Sequence, residues 1–204
     1  ITDSSPSAKT ITVSGNVVNS TTTVKFGTAA IFYDGVLDYA TVNGTGADFA
    51  FGTGDFTIEL WMYLASLNIQ RTLYDGRPVA TNGLYPWIYI TTTNLLRYHA
   101  NSADRIAGAT VLTANAWNHV MLCRVNGTTR LFLNGTLQGA SYADANNYVS
   151  AASRPVIGAN GFTLGNESFT GRLDEVRVLN GIGMHEAAFS VPTSAYSATG
   201  LDDT

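Results

Sequence analysis

The sequence is poor in cysteine and in charged residues. Because it has one cysteine among 204 residues, no disulfide can form within the chain. We expect Cys123, which lies in the most hydrophobic segment, to be a small buried side chain rather than a reactive thiol. Charged residues make up 13% of the chain, about half of the roughly 25% that is usual in soluble domains. Ser, Thr, Asn and Gly take their place, as is typical of extracellular or virion-surface β-proteins.

Two further absences exclude classes of partner. The 11 Lys and Arg residues are scattered and the net charge is −4, whereas a surface that binds nucleic acid requires clustered basic residues. No apolar run approaches the ~18 residues of a membrane-spanning helix. We therefore expect neither nucleic-acid binding nor membrane insertion. The chain begins at Ile1 without a signal-peptide pattern, so we expect a processed product or a segment of a longer protein.

The residue patterns of common catalytic sites are also missing. A glycosidase requires two carboxylates about 5–10 Å apart, but Asp174 and Glu175 are adjacent on a predicted strand and point to opposite faces. A pairing of Glu59 with Glu175 from another strand stays open. The three histidines lack metal-ligand spacing. There is no Gly-x-Ser-x-Gly elbow and no phosphate-binding glycine loop, although a Ser-His-Asp triad without that elbow stays open. The sequence favours a protein that is not an enzyme.

The chain consists largely of short apolar runs separated by turn signals. In residues 117–140, two Asn-Gly pairs separate three such runs, which predicts a β-meander. Residues 56–63 alternate between an apolar face and a mixed face. Strands every 8–12 residues predict an antiparallel sandwich or barrel, with a single helical pattern at residues 183–189. We expect one domain over residues 1–204, with its core at about 8–196 and loose polar ends.

Several connections can also be predicted. Residues 29–33 and 38–42 flank Asp34-Gly35, a turn signal, and we expect them to be partner strands. Residues 87–91 and 95–99 should form a hairpin. The segments 77–86 and 101–116 have a loop composition, and the polar tail from Ser190 to Thr204 should be partly ordered at best.

Three segments, in order, carry a resemblance to a known family. They are Gly54-Asp-Phe-Thr-Ile-Glu-Leu-Trp61, then Trp117-Asn-His-Val120 with Leu131-Phe-Leu-Asn-Gly135, and Phe169-Thr-Gly-Arg-Leu-Asp-Glu-Val-Arg-Val178. Together they resemble the laminin-G-like branch of the concanavalin A-like lectin/glucanase superfamily, of the type found in bacteriophage tail-fibre and virion-surface proteins. The resemblance implies an all-β fold, a jelly-roll sandwich of two antiparallel sheets. It implies less about function, because this fold hosts lectins, adhesion modules, structural spacers and glycosidases.

The resemblance also implies a calcium site. Laminin-G-like domains often bind one Ca²⁺ at the rim through Asp side chains and main-chain carbonyls, the oxygen ligands that this cation prefers. Asp104 lies in the predicted loop 101–116, roughly where the family places its first acidic ligand. No companion acid is identified, and Asp104 could instead cap local backbone NH groups.

The rim formed by residues 75–87 and 101–104 is the predicted ligand site, because long loops carry function on rigid sandwiches. The candidate ligand contacts are Asp75, Arg77, Tyr85 and Trp87. They supply bidentate hydrogen bonding and aromatic rings for stacking. On this hypothesis, replacing Arg77 and Trp87 by alanine should abolish binding with little effect on the melting temperature. Alternatively, Trp87 fills the outer sheet, or the contact lies on a sheet face through Trp61 and Tyr63, as a subunit interface.

A structural ion pair is predicted between Glu59 and Arg177. Each residue interrupts an apolar strand on the face opposite the core residues. If the resemblance holds, the two strands are neighbours in one sheet, which would bring the side chains together. An unpaired charge on a half-covered sheet is costly, so we expect them to pair.

Two classes of function follow from these observations. The first is a binding or adhesion module on a virion or extracellular surface, which recognises a glycan or a receptor. The second is a structural or decoration domain that packs against neighbouring subunits of a viral or extracellular assembly. In either case we expect the chain to be part of a larger assembly.

Overall fold

The computed structural model describes residues 1–197 and contains strands but no helix in that range. The strands are β1 Thr10–Ser14, β2 Val18–Ser20, β3 Ala30–Asp34, β4 Tyr39–Asn43, β5 Phe56–Leu64, β6 Arg71–Asp75, β7 Trp87–Ile90, β8 Leu96–Ala100, β9 Ala103–Ala107, β10 Trp117–Val125, β11 Thr128–Leu133, β12 Thr136–Leu137, β13 Tyr142–Ala143, β14 Val156–Ile157 and β15 Thr170–Asn180. Accordingly, no helix capable of crossing a membrane occurs within these residues.

The strands form two antiparallel sheets, which confirms the predicted all-β jelly-roll sandwich. One sheet has seven strands in the order β1-β4-β14-β6-β7-β8-β9. The other has eight, in the order β12-β11-β10-β5-β15-β3-β2, with β13 pairing with β11. Each sheet therefore has one face toward the other sheet and one outer face.

The core lies between the two sheets and follows from the alternation of the long strands. In β5, Phe56, Ile58, Leu60 and Met62 are fully buried in it. Leu60 lies opposite Val120 of β10, another core residue. Because successive side chains of a strand point to opposite faces, the intervening residues of β5 all lie on the outer face. The predicted two-faced character of residues 56–63 is thus confirmed.

The central meander is confirmed as well. Asn126 and Gly127 join β10 to β11, and both have positive φ, 49° and 69°, as a tight primed turn requires. Cys123 of β10 is buried, and its Sγ donates to the backbone carbonyl of His185 at 3.1 Å. Burial raises the pKa of this thiol to about 11, so it is not a reactive thiolate at neutral pH.

The predicted pairing of residues 29–33 with 38–42 is wrong. Strand β3 pairs with β2 and β15, whereas β4 pairs with β1 and β14 in the other sheet. The chain crosses between the sheets after Asp34 because the buried carboxylate of Asp38 accepts the backbone NH groups of Asp34 and Asn16, each at 2.6 Å. Two intervening residues, Gly35 and Leu37, have positive φ.

The predicted helical turn at residues 183–189 is also wrong. The hydroxyl of Thr57 donates to the carbonyl of Ile182 at 2.9 Å and lies 3.2 Å from the NH of Met184. These bonds tie the backbone to the sheet rather than to its own next turn. Residues 182–197, which we call the C-terminal segment, lie on the outer face of the eight-stranded sheet. The predicted loose tail thus makes contacts as far as Ser197, and residues 198–204 lie outside the described part.

Candidate functional site

The structure brings three of the four predicted ligand contacts together. Asp75 ends β6 and lies opposite Trp87, which begins β7. The guanidinium of Arg77 donates to both carboxylate oxygens of Asp75, with Nε–Oδ1 at 2.9 Å and Nη2–Oδ2 at 2.7 Å. The same guanidinium lies 3.8 Å from the centre of a Trp87 ring. Tyr85 is half-buried in the adjoining loop.

This cluster is buried rather than presented to solvent. Asp75 is fully buried, and 5% of Arg77 and 8% of Trp87 are exposed. One face of the indole ring lies against Arg77, and the other stacks on Tyr89 with ring centres 4.1 Å apart. The indole NH donates to the hydroxyl of Thr72 at 3.0 Å. Since both faces of the indole are occupied, no face remains for a sugar ring, and the cluster holds the loop 76–86 in place.

Asp104 lies in strand β9 rather than in a loop. Its carboxylate accepts the hydroxyl of Tyr89 at 3.0 Å, and His99 Nδ1 lies 3.0 Å away. The Nε of Arg97 lies 3.7 Å from it. These neighbours, a phenol, an imidazole and a guanidinium, do not provide the several converging oxygen ligands that a Ca²⁺ ion requires. Residues 1–197 also contain no cluster of three or more His, Cys, Asp or Glu side chains suited to a metal. Calcium binding by the chain stays a prediction.

The predicted ion pair between Glu59 and Arg177 is present. The two residues lie opposite each other in β5 and β15, and Arg177 Nε and Nη2 lie 2.7 and 2.6 Å from Glu59 Oε1. The other oxygen, Oε2, accepts the Tyr196 hydroxyl and lies 3.1 Å from His119 Nε2. Burial acts to raise the pKa of Glu59, but the hydrogen bond with His119 and the charge of Arg177 lower it overall.

Glu59 and Glu175, the pair left open for glycosidase chemistry, are both engaged in holding the C-terminal segment. Glu175 accepts the backbone NH of Tyr196 at 2.6 Å, and Glu59 accepts the hydroxyl of the same residue. The segment encloses a cavity of about 300 Å³ above Glu59, lined by Met121, Met184 and residues 189–194 among others. Both oxygens of Glu59 thus have protein partners, and the carboxylate holds the segment against the sheet.

The Glu59 network leads to a prediction about pH. Replacing Glu59 by glutamine should lower the free energy of unfolding by about 1.5–3 kcal/mol at pH 7, because hydrogen bonds to a charged group are lost. A carboxyl group whose pKa is lower in the folded than in the unfolded protein stabilises the fold at pH values above the unfolded pKa, which is about 4.3 for Glu. This stabilisation is lost as the pH falls through the folded pKa. The difference between the two proteins should therefore shrink as the pH falls below about 4.

Urea unfolding at a series of pH values from 3 to 7 measures this difference. Glu186→Gln is the control, because the carboxylate of Glu186 is exposed and lies 3.8 Å from Arg130. Surface pairs of this kind contribute between about 0 and 1 kcal/mol. A Glu59→Gln difference that stayed constant down to pH 3 would contradict the assigned role.

A row of half-buried side chains, absent from the predicted rim, crosses the outer face of the eight-stranded sheet. The four residues, which we call the aromatic row, are Phe32 of β3, Arg172 of β15, Tyr63 of β5 and Trp117 of β10. Each lies directly opposite the next in the strand register. Neighbouring strands are ~4.8 Å apart, so the row extends over roughly 14 Å. All four side chains lie near the same end of the sandwich.

The contacts within the aromatic row are aromatic and cation–π contacts. The Tyr63 and Trp117 rings meet edge to face with centres 5.6 Å apart. The guanidinium of Arg172 lies 5.2 Å from the Phe32 ring and 5.9 Å from the Tyr63 ring. Its Nη2 donates to the hydroxyl of Thr22 at 3.2 Å. Among the described residues, no carboxylate lies within ion-pair distance of Arg172.

The middle of this outer face is covered, whereas the aromatic row and the neighbouring Val18, which lies opposite Phe32 and is 52% exposed, stay open to solvent. The C-terminal segment covers Glu59. Beside it, Lys25 Nζ lies 3.8 Å from the centre of a Trp61 ring. The backbone NH groups of Lys25 and Phe26 donate to Asp174 and fix this cover. Trp61 is consequently buried, whereas Tyr63 stays partly exposed.

Sequence reasoning identified one member of the aromatic row. The alternation of residues 56–63 places Tyr63 on the mixed face, and the sheet-face alternative named it. Phe32, Arg172 and Trp117 also alternate with core residues in their own strands. Their alignment depends on the register of four strands, which the separate patterns do not determine.

Comparison with known proteins supports the architecture. A laminin-G family model of the concanavalin A-like lectin/glucanases superfamily matches residues 34–182. Domain 4 of AbnA, an extracellular arabinanase from Geobacillus stearothermophilus solved with arabinotriose, superposes with a TM-score of 0.63 at 17% identity. The alignment covers 87% of this chain and 84% of that domain. No curated protein matches the chain in sequence.

Two further solved structures share the fold. The carbohydrate-binding module CBM40 of the Ruminococcus gnavus IT-sialidase, bound to α2,3-sialyllactose, superposes with a TM-score of 0.53 at 15% identity, covering 67% of this chain and 80% of that one. A Bacteroides ovatus protein whose name assigns it to carbohydrate binding superposes with a TM-score of 0.52 at 20% identity over 68% of this chain. The chain spans 39% of the length of that protein. At these identities the likeness shows the fold alone.

Proposed function

The chain belongs to the concanavalin A-like lectin/glucanase superfamily, and on this premise we propose that it is a single non-catalytic glycan-binding module of a virion or other extracellular surface. The observation that carries the proposal is the aromatic row. It is a partly exposed line of three rings and one guanidinium on a rigid sheet, next to the part of that face that the C-terminal segment covers.

The chemistry of the aromatic row suits a sugar chain. A pyranose has an apolar face of C–H groups that packs on an aromatic ring, and hydroxyl groups at its edge that require hydrogen-bond partners. Tyr63 and Trp117 supply rings that also carry a polar group. Arg172 supplies several N–H donors and has no described carboxylate to compete for them. The length of the row, roughly 14 Å from the strand spacing, suits an oligosaccharide better than one sugar.

The comparisons support the same class of ligand. The arabinanase domain was solved with arabinotriose and the sialidase module with sialyllactose, so two proteins with this fold hold oligosaccharides. The engaged state of Glu59 and Glu175 favours binding over hydrolysis, because a glycosidase requires two carboxylates that can exchange protons with the substrate. A composition poor in charge and rich in Ser, Thr and Asn supports an extracellular or virion location. We propose that the module acts there as part of a larger assembly.

Double substitution of Tyr63 and Trp117 by alanine should abolish retention on immobilised glycans, because the stacking surface is removed. A glycan array, read once with Ca²⁺ and once with EDTA, measures binding and also tests the calcium prediction. Since both side chains are partly exposed, the variant should remain folded, with circular dichroism as the check.

Tyr85→Ala is the matched control, because Tyr85 is also a half-buried tyrosine but lies on the originally predicted rim. Loss of binding in Tyr85→Ala, together with unchanged binding in the double variant, would move the site to the rim. If the double variant changed the oligomeric state in light scattering and no glycan bound to the wild type, the structural alternative, a domain that packs against neighbouring subunits, would replace the proposal.

A further inference from the structure

A cavity opens at the end of the sandwich where the aromatic row lies. Three connections border this open cavity, which has a volume of about 480 Å³: residues 35–37, 69–71 and 165–168. The first connection follows β3 and begins at Gly35, three residues after Phe32, and the second follows the end of β5, beyond Tyr63. Three of its lining side chains, Val36, Leu37 and Ile69, are apolar and exposed. The cavity is therefore an apolar site next to the proposed glycan surface.

Arg71 lines this cavity without a counter-charge. The residue is 9% exposed, and its Nη1 donates to the carbonyl of Gln70 at 3.2 Å. Its Nε is buried and makes no hydrogen bond to any described residue. Arg77, Arg124 and Arg177 are also buried, and each has a carboxylate within 4 Å, whereas Arg71 and Arg154 have none among residues 1–197. Arg154 donates through its Nε to the carbonyl of Arg77 at 2.7 Å, so the Nε without an acceptor distinguishes Arg71 from the other buried arginines. A buried cationic donor without an acceptor is costly, which points to a ligand.

The acidic residue of the cavity does not neutralise Arg71. The two oxygens of Glu167 accept hydrogen bonds from neutral groups: the amide of Gln70 at 2.7 Å, the hydroxyl of Thr72 at 3.1 Å and the amide of Asn160 at 2.9 Å. These bonds direct the carboxylate toward the outer face of the seven-stranded sheet, where the Thr72 side chain lies. The guanidinium of Arg71 is thus left to the cavity.

We propose that this cavity is a subsite for a carboxylate-bearing sugar, so that the module recognises an acidic glycan. The inference rests on the proposed glycan binding and names its ligand class. A carboxylate accepts two parallel N–H bonds from a guanidinium, and the apolar walls suit the carbon skeleton of the sugar. One guanidinium balances one negative charge. No second cation lines the cavity and Glu167 is one of its lining residues, so a singly charged carboxylate fits better than a doubly charged phosphate.

Titration of the whole chain with glucuronate, glucose and inorganic phosphate, followed by NMR chemical shifts, tests the subsite. Glucuronate should shift the amide signals of Ile69 and Gly165 more than glucose or phosphate at equal concentration. Arg71→Gln should weaken glucuronate binding about tenfold or more, as expected for the loss of a charged hydrogen bond. Its melting temperature should not fall, because the replacement removes an unpaired buried charge.

Arg97→Gln is the matched control, since Arg97 is a partly buried arginine near Asp104, and it should bind glucuronate like the wild type. Equal binding of glucuronate and glucose, binding of phosphate as strong as that of glucuronate, or unchanged glucuronate binding in Arg71→Gln would each overturn the inference. The glycan array tests the proposed function separately. If the Tyr63 and Trp117 double variant bound glycans normally, the aromatic row would not be the glycan-binding surface. The effect of Arg71→Gln on glucuronate binding would still decide whether the cavity is a subsite.

Discussion

Replacement of Arg124 by methionine should lower the free energy of unfolding by about 3–5 kcal/mol, the usual cost of breaking a buried charge network. Arg124 is fully buried and donates to three backbone carbonyls. They are those of Gly54 at 2.7 Å, Gly52 at 2.8 Å and Asn146 at 2.9 Å. Its Nη1 also lies 3.8 Å from the buried carboxylate of Asp144. Methionine would fill much of the volume but would leave these acceptors without a donor.

Urea unfolding followed by tryptophan fluorescence measures the loss. Arg130→Met is the matched control, because Arg130 lies in the neighbouring strand β11 opposite Cys123, and its contacts are long ones, 3.4 Å to the Thr128 carbonyl and 3.8 Å to Glu186. We expect a loss below about 1 kcal/mol for this control. If the two substitutions lowered the free energy of unfolding by similar amounts, the hydrogen bonds of Arg124 would not be what stabilises this region.

In the Arg77→Ala and Trp87→Ala double variant, the free energy of unfolding should fall by more than about 4 kcal/mol. The sequence alone predicted little effect of this double substitution on the melting temperature. Removing Arg77 leaves the fully buried carboxylate of Asp75 with only backbone donors, the NH groups of residues 77 and 161. Removing the Trp87 side chain creates a cavity, which typically costs about 3–5 kcal/mol. Because the two side chains touch, the losses will not simply add, but they approach the total stability of many domains.

Thermal unfolding of the double variant and of Tyr85→Ala provides the comparison. Tyr85 lies in the same loop but outside the stacked cluster, so its loss should lower the melting temperature by a few degrees at most. A double variant that melted close to the wild type would show that the cluster is dispensable for folding. It would then restore Arg77 and Trp87 as candidates for ligand contact.

Local alternation in the sequence was sufficient to predict an antiparallel sandwich or barrel and to place Glu59 and Arg177 on the face opposite the core. In β5 each polar or mixed residue is separated from the next by a core residue, so the burial of Ile58 and Leu60 determines which way Glu59 points. Arg177 is flanked by Val176 and Val178 in the same manner. The pairing of β5 with β15 came from the family resemblance, and the structure supplies the register.

The surface proposed for ligand binding could not be predicted from local alternation. The loop position of Arg77 suggested exposure, but its burial results from contacts with Trp87 and Asp75, which depend on how the loop returns over the sheet. Similarly, the aromatic row requires four strands far apart in sequence to align, and no local pattern encodes that alignment. The crossing at residues 34–38 was missed because a turn signal specifies a change of direction and not which sheet the chain enters next.

The position of β5 between β10 and β15 also has a consequence for the order of folding. Val120 pairs with Leu60 and Arg177 pairs with Glu59, so the partners of these two residues lie 60 and 118 residues further along the chain. Proteins dominated by such distant pairings fold slowly, in milliseconds to seconds. During synthesis, both edges of β5 stay open until β10 emerges, and one stays open until residue 180 has left the ribosome. The nascent chain thus exposes an apolar strand for several seconds, and its low charge offers little repulsion against self-association.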